Sequence, residues 1–239
     1  MNEIIFFNSA LNADSKELTL DQEESRHLVK VLRMREGENA FVVNGRGLIA
    51  EVDVRKINKG SAILQIKKCK QEKKKHPLLH IAVAHLRHKD RLEWMIEKLT
   101  ELGVHQITLL TTSRSLQHRV DEARCQKIMI SALKQSKNLF LPLLSIYNDF
   151  DDFLMEQSSH EKLKLIASCE NVDQNYILSS LNKERDTLLL IGPEGDFTPL
   201  EIQKATGKGF APVSFGNQRL RTETAAIFAS SVISAFYED

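Results

Sequence analysis

With 33 Lys and Arg against 32 Asp and Glu, this chain of 239 residues carries a formal charge of +1, so overall charge announces no nucleic acid and any basic surface must be local. The length accommodates one large or two modest domains with cores of their own, and 42% apolar with 27% charged residues excludes a disordered chain. Three cysteines, Cys69, Cys125 and Cys169, stand far apart without a Cys-x-x-Cys, which argues against a disulfide scaffold or thiolate zinc site and for a reducing, cytoplasmic setting.

Ile4 to Phe7, the apolar run nearest the N-terminus, is too short for a signal sequence and reads as the first strand; no later stretch approaches a membrane span. Residues 1–70 read mainly as strands. Ala40 to Val43 runs into an Asn44-Gly45 turn, and Leu48, Ala50, Val52 and Val54 then alternate with more polar residues. Asn58-Lys59-Gly60 turns the chain again into Ala62, Leu64 and Ile66, a pattern that predicts a small twisted barrel.

One helix interrupts the strands. Asp21 is placed to cap it, Glu24 to reach back to the cap, and Leu28, Val31 and Leu32 to form an inward stripe. Arg26, His27, Lys30, Arg33 and Arg35 are left for other faces or the following turn. Two readings stay open for them: a solvated cationic face, or contact with RNA phosphates. Aromatics are only 6% of the chain, so platforms for stacking bases are scarce and backbone reading is favoured over base reading. Lys67 to His76, KKCKQEKKKH, has no hydrophobic period and reads as a basic linker, solvated or touching phosphate, with the domain boundary at 71–77.

The second domain, 78–239, opens with Leu78 to Ala84 as a buried strand. Asp90 is expected to cap a helix, with Glu93 completing the box, Leu92, Met95, Ile96, Leu99 and Leu102 on one face, and Gly103 at its end. His76, His80, His85 and His88 lack a carboxylate or thiol at ligand spacing; they read as surface or loop histidines, and no metal is expected. Val104 to Leu110 is the next strand, followed by a polar loop, Thr111 to Ser115, with one cation, Arg114, and a helix from about Asp121 to Ser136. Leu143 to Ile146, Leu163 to Ala167 and Leu188 to Ile191 alternate with helical segments around Phe150 to Gln157 and Tyr176 to Leu181, which predicts a parallel α/β sheet.

The densest signal is the stretch from Thr187 to Ala229. Leu188 to Ile191 runs straight into Gly192-Pro193-Glu194-Gly195, and Thr198-Pro199-Leu200-Glu201 then supplies an N-cap, a first-turn proline and a capping-box glutamate for a helix ending at Gly207. Pro212 to Phe215 gives a second strand and Gly216 to Arg221 a second loop, before Thr222 caps a helix lined by Ala225, Ala226, Ala229 and Ser230. Ser168-Cys169-Glu170-Asn171 is a third loop expected at the same edge. Open parallel sheets bind ligands outside the carboxyl ends of their strands, where glycines let backbone groups approach closely. Gly192, Gly195 or Gly216 alone could equally make a tight turn; together they point to a small planar or charged ligand. Neither a phosphate-cradling G-x-x-x-x-G-K-[ST] nor a dinucleotide G-x-G-x-x-G is present.

IGPEGDF followed by FGNQRLRTETAA resembles the paired loops of the ribosomal RNA small subunit methyltransferase E family, a branch of the SPOUT class. HLVKVLRMREGE resembles the family's N-terminal segment, and Lys89-Asp90-Arg91 with Glu93-Trp94 and Thr100-Glu101-Leu102-Gly103 resembles its central one, so the likeness spans nearly the whole chain. It departs at Asp196, where the family carries a glycine, at Phe215 and Asn217-Gln218, and at Lys134, where the family has Glu.

The resemblance implies an S-adenosylmethionine site in a trefoil-knotted α/β domain, preceded by a PUA-like barrel that helps to seat 16S rRNA of the small ribosomal subunit, and methylation of N3 of a uridine. It also implies a homodimer with the last helix near the interface. Ser168, Ile191, Gly192, Pro193, Glu194, Gly195, Phe215, Gly216, Leu220, Arg221, Thr222 and Ala225 would hold the cofactor. Arg26, His27, Lys30, Arg33, Arg35, Arg91 and Arg114 would touch RNA. Arg221 is expected to face negative charge developing on the uracil, unless it is tied up with Glu194 or Glu223, and Glu194 acts as a base or orients its loop. The rivals are another SPOUT RNA methyltransferase, acting on ribose 2′-O or guanine, and a non-catalytic rRNA-binding assembly factor.

Overall fold

The computed structural model describes residues 4–115, 120–157, 162–168 and 174–238. The chain divides into two compact units, Met1–Lys74 with Ile130–Leu141, and Lys75–Met129 with Pro142–Asp239.

The first unit contains β1 (Ile5–Phe7), β2 (Glu17–Thr19), α1 (Gln22–Arg26), β3 (Asn39–Val43), β4 (Leu48–Asn58) and β5 (Ser61–Gln71). They form one sheet in the order β1-β3-β4-β5-β2, antiparallel except for β1 beside β3. Along β4, Leu48, Ala50, Val52 and Val54 all point inward, as the alternation demands. Phe6 of one edge strand and Leu18 of the other join the same core, and the Asn8 side-chain amide donates to the Thr19 carbonyl at 3.2 Å, so the sheet curls round its own interior. The basic run expected to be a linker is strand as far as Gln71, because β4 offers a long partner: Glu51 pairs with Lys68 and Leu48 with Gln71.

Asp21 caps α1, its carboxylate accepting from the Glu24 amide at 2.8 Å. Glu24 does not complete a box; its carboxylate is buried and binds Lys134 Nζ at 2.5 Å. After Arg26 the helix widens into a π-turn, His27–Val31, which rotates the following side chains. Leu28 remains fully buried, but Val31 is 65% exposed and not part of the inward stripe.

The second unit holds β6 (Leu79–Ala84), α2 (Lys89–Glu101), β7 (Gln106–Leu110), β8 (Leu143–Tyr147), α4 (Phe150–Glu156), β9 (Leu163–Ala167), β10 (Asn175–Tyr176), α5 (Ile177–Ser180), β11 (Thr187–Ile191), α6 (Pro199–Gly207), β12 (Ala211–Ser214) and α7 (Thr222–Glu238); the division between units falls within α3 (Glu122–Ser136). Its seven strands are all parallel, in the order β10-β12-β9-β11-β6-β7-β8. The central β6 and β11 are buried at every residue, which is why both read as unbroken apolar runs. β11 and β12 are not direct neighbours: β9 lies between them, so its end reaches this edge too, where the third loop was expected.

Of the histidines expected at the surface or in loops, His85 is in the loop after β6 but buried, whereas His80 is a core residue of β6, with Nε2 2.7 Å from the Thr108 hydroxyl and its ring edge-on to Phe153. Burial pushes the His80 imidazole down to about 3, so it is neutral at any ordinary pH. His88, not Asp90, precedes α2 and makes no side-chain cap; Glu93 instead binds Arg124 at 2.9 Å.

Candidate active site

Each wall of the site starts where a strand stops. β11 ends at Ile191, and the next six residues fold back on themselves, with the Asp196 amide donating to the Pro193 carbonyl at 2.9 Å. A side chain at Gly192 would be crowded, because a β-carbon would stand 3.0 Å from the Phe197 backbone nitrogen, which would have to shift to make room. Asp196 sits at φ +63°, a left-handed conformation that Asp tolerates better than most residues. Its carboxylate accepts from the Phe197 amide at 2.7 Å and from the Ser168 hydroxyl at 3.3 Å, tying the loop after β11 to the end of β9. The box foreseen at the start of α6 is present, with Glu201 donating its amide to Thr198 Oγ1 at 3.2 Å and accepting from the Thr198 amide at 2.8 Å.

The loop after β12 runs from Phe215 to Arg221, and Gly216 turns it at φ +103° with open space around it. Thr222 is the first residue of α7 rather than its cap, and its hydroxyl donates to the Gly192 carbonyl at 3.0 Å. That bond ties the start of α7, where the second loop ends, to the glycine loop after β11. From the loop after β7, Arg114 donates to the Gly195 carbonyl at 2.7 Å and to the Phe197 carbonyl at 3.4 Å, bracing the same turn from the other side.

Between these loops lies a cavity of about 1020 Å³. All twelve residues assigned to the cofactor in the sequence, Ser168, Ile191 to Gly195, Phe215, Gly216, Leu220 to Thr222 and Ala225, lie in its wall. Arg221 and Glu194 are both exposed there, and among the described residues neither forms an ion pair. Glu223 is buried and faces Arg91 instead, with Nε 3.6 Å from Oε1. Of the third loop, Ser168 is in the wall; Cys169, Glu170 and Asn171 lie outside the described residues.

Sequence reasoning missed Gln174, Arg219 and the bracing role of Arg114, all in the same wall. The signal for Arg114 was its position directly after a parallel strand, which places it at the same sheet edge. The residues assigned to RNA are divided between the units: Arg26, His27, Lys30, Arg33 and Arg35 belong to the first, Arg91 and Arg114 to the second. In the first unit the four cations are exposed beside Val29 and Val31, while His27 is half-buried against Phe6.

Residues 72–234 match the family model of an RNA methyltransferase domain, and residues 20–67 that of an RNA methyltransferase PUA domain. The chain is 30% identical to ribosomal RNA small subunit methyltransferase E of Bacillus subtilis, over 89% of this chain and 87% of that one. A probable rRNA-methyltransferase from Porphyromonas gingivalis superposes with a TM-score of 0.91 at 30% identity, covering 98% of each chain. The ribosomal RNA small subunit methyltransferase E of Neisseria gonorrhoeae, solved bound to S-adenosyl methionine, gives 0.87 at 27% identity, covering 99% of this chain and 98% of that one.

Proposed function

This chain belongs to the ribosomal RNA small subunit methyltransferase E family, and from that premise we propose that it methylates N3 of a uridine in 16S rRNA of the small ribosomal subunit. The observation that carries the reading is the convergence of three strand ends on one glycine-walled cavity, in a chain whose full-length structural relative is solved with S-adenosyl methionine.

The cavity fits that group. Its volume is at the upper end of the roughly 300–1,000 Å³ typical of sites for ligands of this size. The open surroundings of Gly216 leave backbone groups of that loop available to an adenosine. When bound, S-adenosylmethionine supplies a methyl group already activated by its sulfonium. Gly192 to Gly195 and Phe215 to Thr222 would hold it, and no metal is called for.

The protein's task is then alignment and charge. Positioning two reactants for in-line attack is worth several kcal/mol, on the order of 7–11 for the best-oriented cases. N3 of uracil carries a proton and normally pairs, so the base must be unpaired or extruded before it can react. Arg221, exposed in the cavity wall and not engaged by Glu194 or Glu223, has its guanidinium available for the negative charge that develops on the uracil oxygens. Glu194 on the opposite loop takes the proton of the base or orients its own loop.

RNA seating draws on the cations of the first unit, Arg26, Lys30, Arg33 and Arg35 with His27, and on Arg91 and Arg114 of the second. We read the paired loops after β11 and β12 as part of a trefoil knot, the molecule as a homodimer with α7 near its interface, and its place of action as the cytoplasm. No helix among the described residues is long and apolar enough to cross a membrane.

Arg221→Ala tests the chemistry. The expected result is kcat reduced by about 10²–10³, as for loss of one stabilising donor, with S-adenosylmethionine affinity changed far less. Full methyl transfer by the folded variant would remove Arg221 from the mechanism.

A further inference from the structure

A second cavity, of about 450 Å³, lies beside the first in the same unit. It shares Arg114, Glu194 and Gly195 with the larger one and adds Arg87, His88 and Arg91. Three guanidinium groups thus face it against a single carboxylate.

Two of those cations are already held in place. Arg114 is anchored on the Gly195 carbonyl at 2.7 Å. Arg91 is backed by Glu223, which is 5% exposed, and whose second carboxylate oxygen has no hydrogen-bond partner among the described residues. A buried carboxylate that fixes one edge of Arg91 leaves its remaining N–H groups to point elsewhere. His88, which precedes α2 and supplies no side-chain cap, is in the wall as well.

Several fixed donors around a concave space fit an anion with several acceptor oxygens. The volume is many times the ~30 Å³ share of one water molecule, which leaves room for a sugar attached to the anion. We propose that this cavity is a subsite for an RNA phosphodiester next to the target nucleotide. The subsite rests on the reading of the larger cavity as the methyl-donor site: a strand anchored here crosses the shared wall at Arg114, Glu194 and Gly195 and delivers its neighbouring base to the donor.

Arg87 is the residue to change, because it is exposed and takes no part in the wall of the larger cavity. Full-length Arg87→Ala and Arg87→Lys proteins are compared with wild type on small ribosomal subunits that lack the methyl group, across a series of salt concentrations. Calorimetry with S-adenosylmethionine and inhibition by inorganic phosphate accompany the kinetics. Arg87→Ala should raise KM for subunits about tenfold, the loss of one charge-assisted contact, and lower the salt slope by about 1. Arg87→Lys should recover most of the loss, and donor affinity should be unchanged in both variants. Inorganic phosphate should compete with subunits, and less effectively in Arg87→Ala, which separates a phosphodiester held within the strand from a site for free phosphate alone.

Unchanged KM and salt slope in Arg87→Ala would overturn the subsite. So would a loss of donor affinity, which would reassign the cavity to the donor's carboxylate. Wild-type protein that binds no S-adenosylmethionine would instead sink the reading of the larger cavity, and the salt slope of subunit binding would still decide whether Arg87 meets a phosphate.

Discussion

At the scale of single residues, Asp196 stands in a left-handed conformation in the middle of the site, and its carboxylate does what a glycine there could not. It accepts from Phe197 and from Ser168, holding the ends of β11 and β9 together. Asp196→Ala removes both bonds and keeps a β-carbon at a left-handed position, which costs alanine about 1–2 kcal/mol. Calorimetry should show donor affinity reduced several-fold, whereas Asp196→Gly, which loses the bonds but not the conformation, should fall by less. Equal affinities in the two variants would mean that backbone conformation is not what the site needs from this position.

His80 makes a second residue-scale prediction, with a definite sign. Its folded-state pKa of about 3 lies below the ordinary 6.5, so the unfolded chain binds the extra proton and the contribution to stability is present above 6.5 and lost as pH falls. The loss amounts to about 2–3 kcal/mol by pH ~4.5. Urea unfolding of wild type and His80→Gln should show the difference between them shrinking as pH falls from 7. A constant difference would mean that His80 titrates normally in the folded protein.

At the scale of elements, the capping box of α6 fixes the far end of the loop after β11. Thr198→Ala removes a cap worth about 1 kcal/mol, and for a chain of this size Tm should fall by about 2–4 °C in a calorimetric scan. An unchanged Tm would show that Glu201, which also accepts from the Ser113 amide at 2.8 Å, holds the helix start without Thr198.

The elements also show what the sequence made legible. The buried runs of β6 and β11, the box at Thr198 and the glycine turns are local signals, each decided within a few residues, and the sequence announces all of them. What escaped it depends on partners far away in the chain. The basic run after Ile66 becomes strand because β4 extends opposite it, and His80 is a core residue because Thr108 and Phe153 receive its ring. Val31 turns outward because a π-turn, which no periodicity predicts, intervenes. The site followed the same rule: the loop residues read directly, while the bracing role of Arg114 and the Arg91–Glu223 pair became visible only once parallel strands brought distant segments to one edge.

At the scale of the whole molecule, the two units differ in kind: one is a curled sheet with an exposed cationic turn, the other a parallel sheet whose carboxyl edge forms the cavity. The central claim is that the cavity donates methyl to N3 of a uridine in small-subunit rRNA. It is tested most directly by incubating the purified protein with unmethylated small ribosomal subunits and methyl-labelled S-adenosylmethionine, then identifying the labelled nucleoside by mass spectrometry. The account predicts label in 3-methyluridine from 16S rRNA and nowhere else. Label on a ribose 2′-oxygen or on guanine, or no transfer by protein that binds the donor, would contradict it.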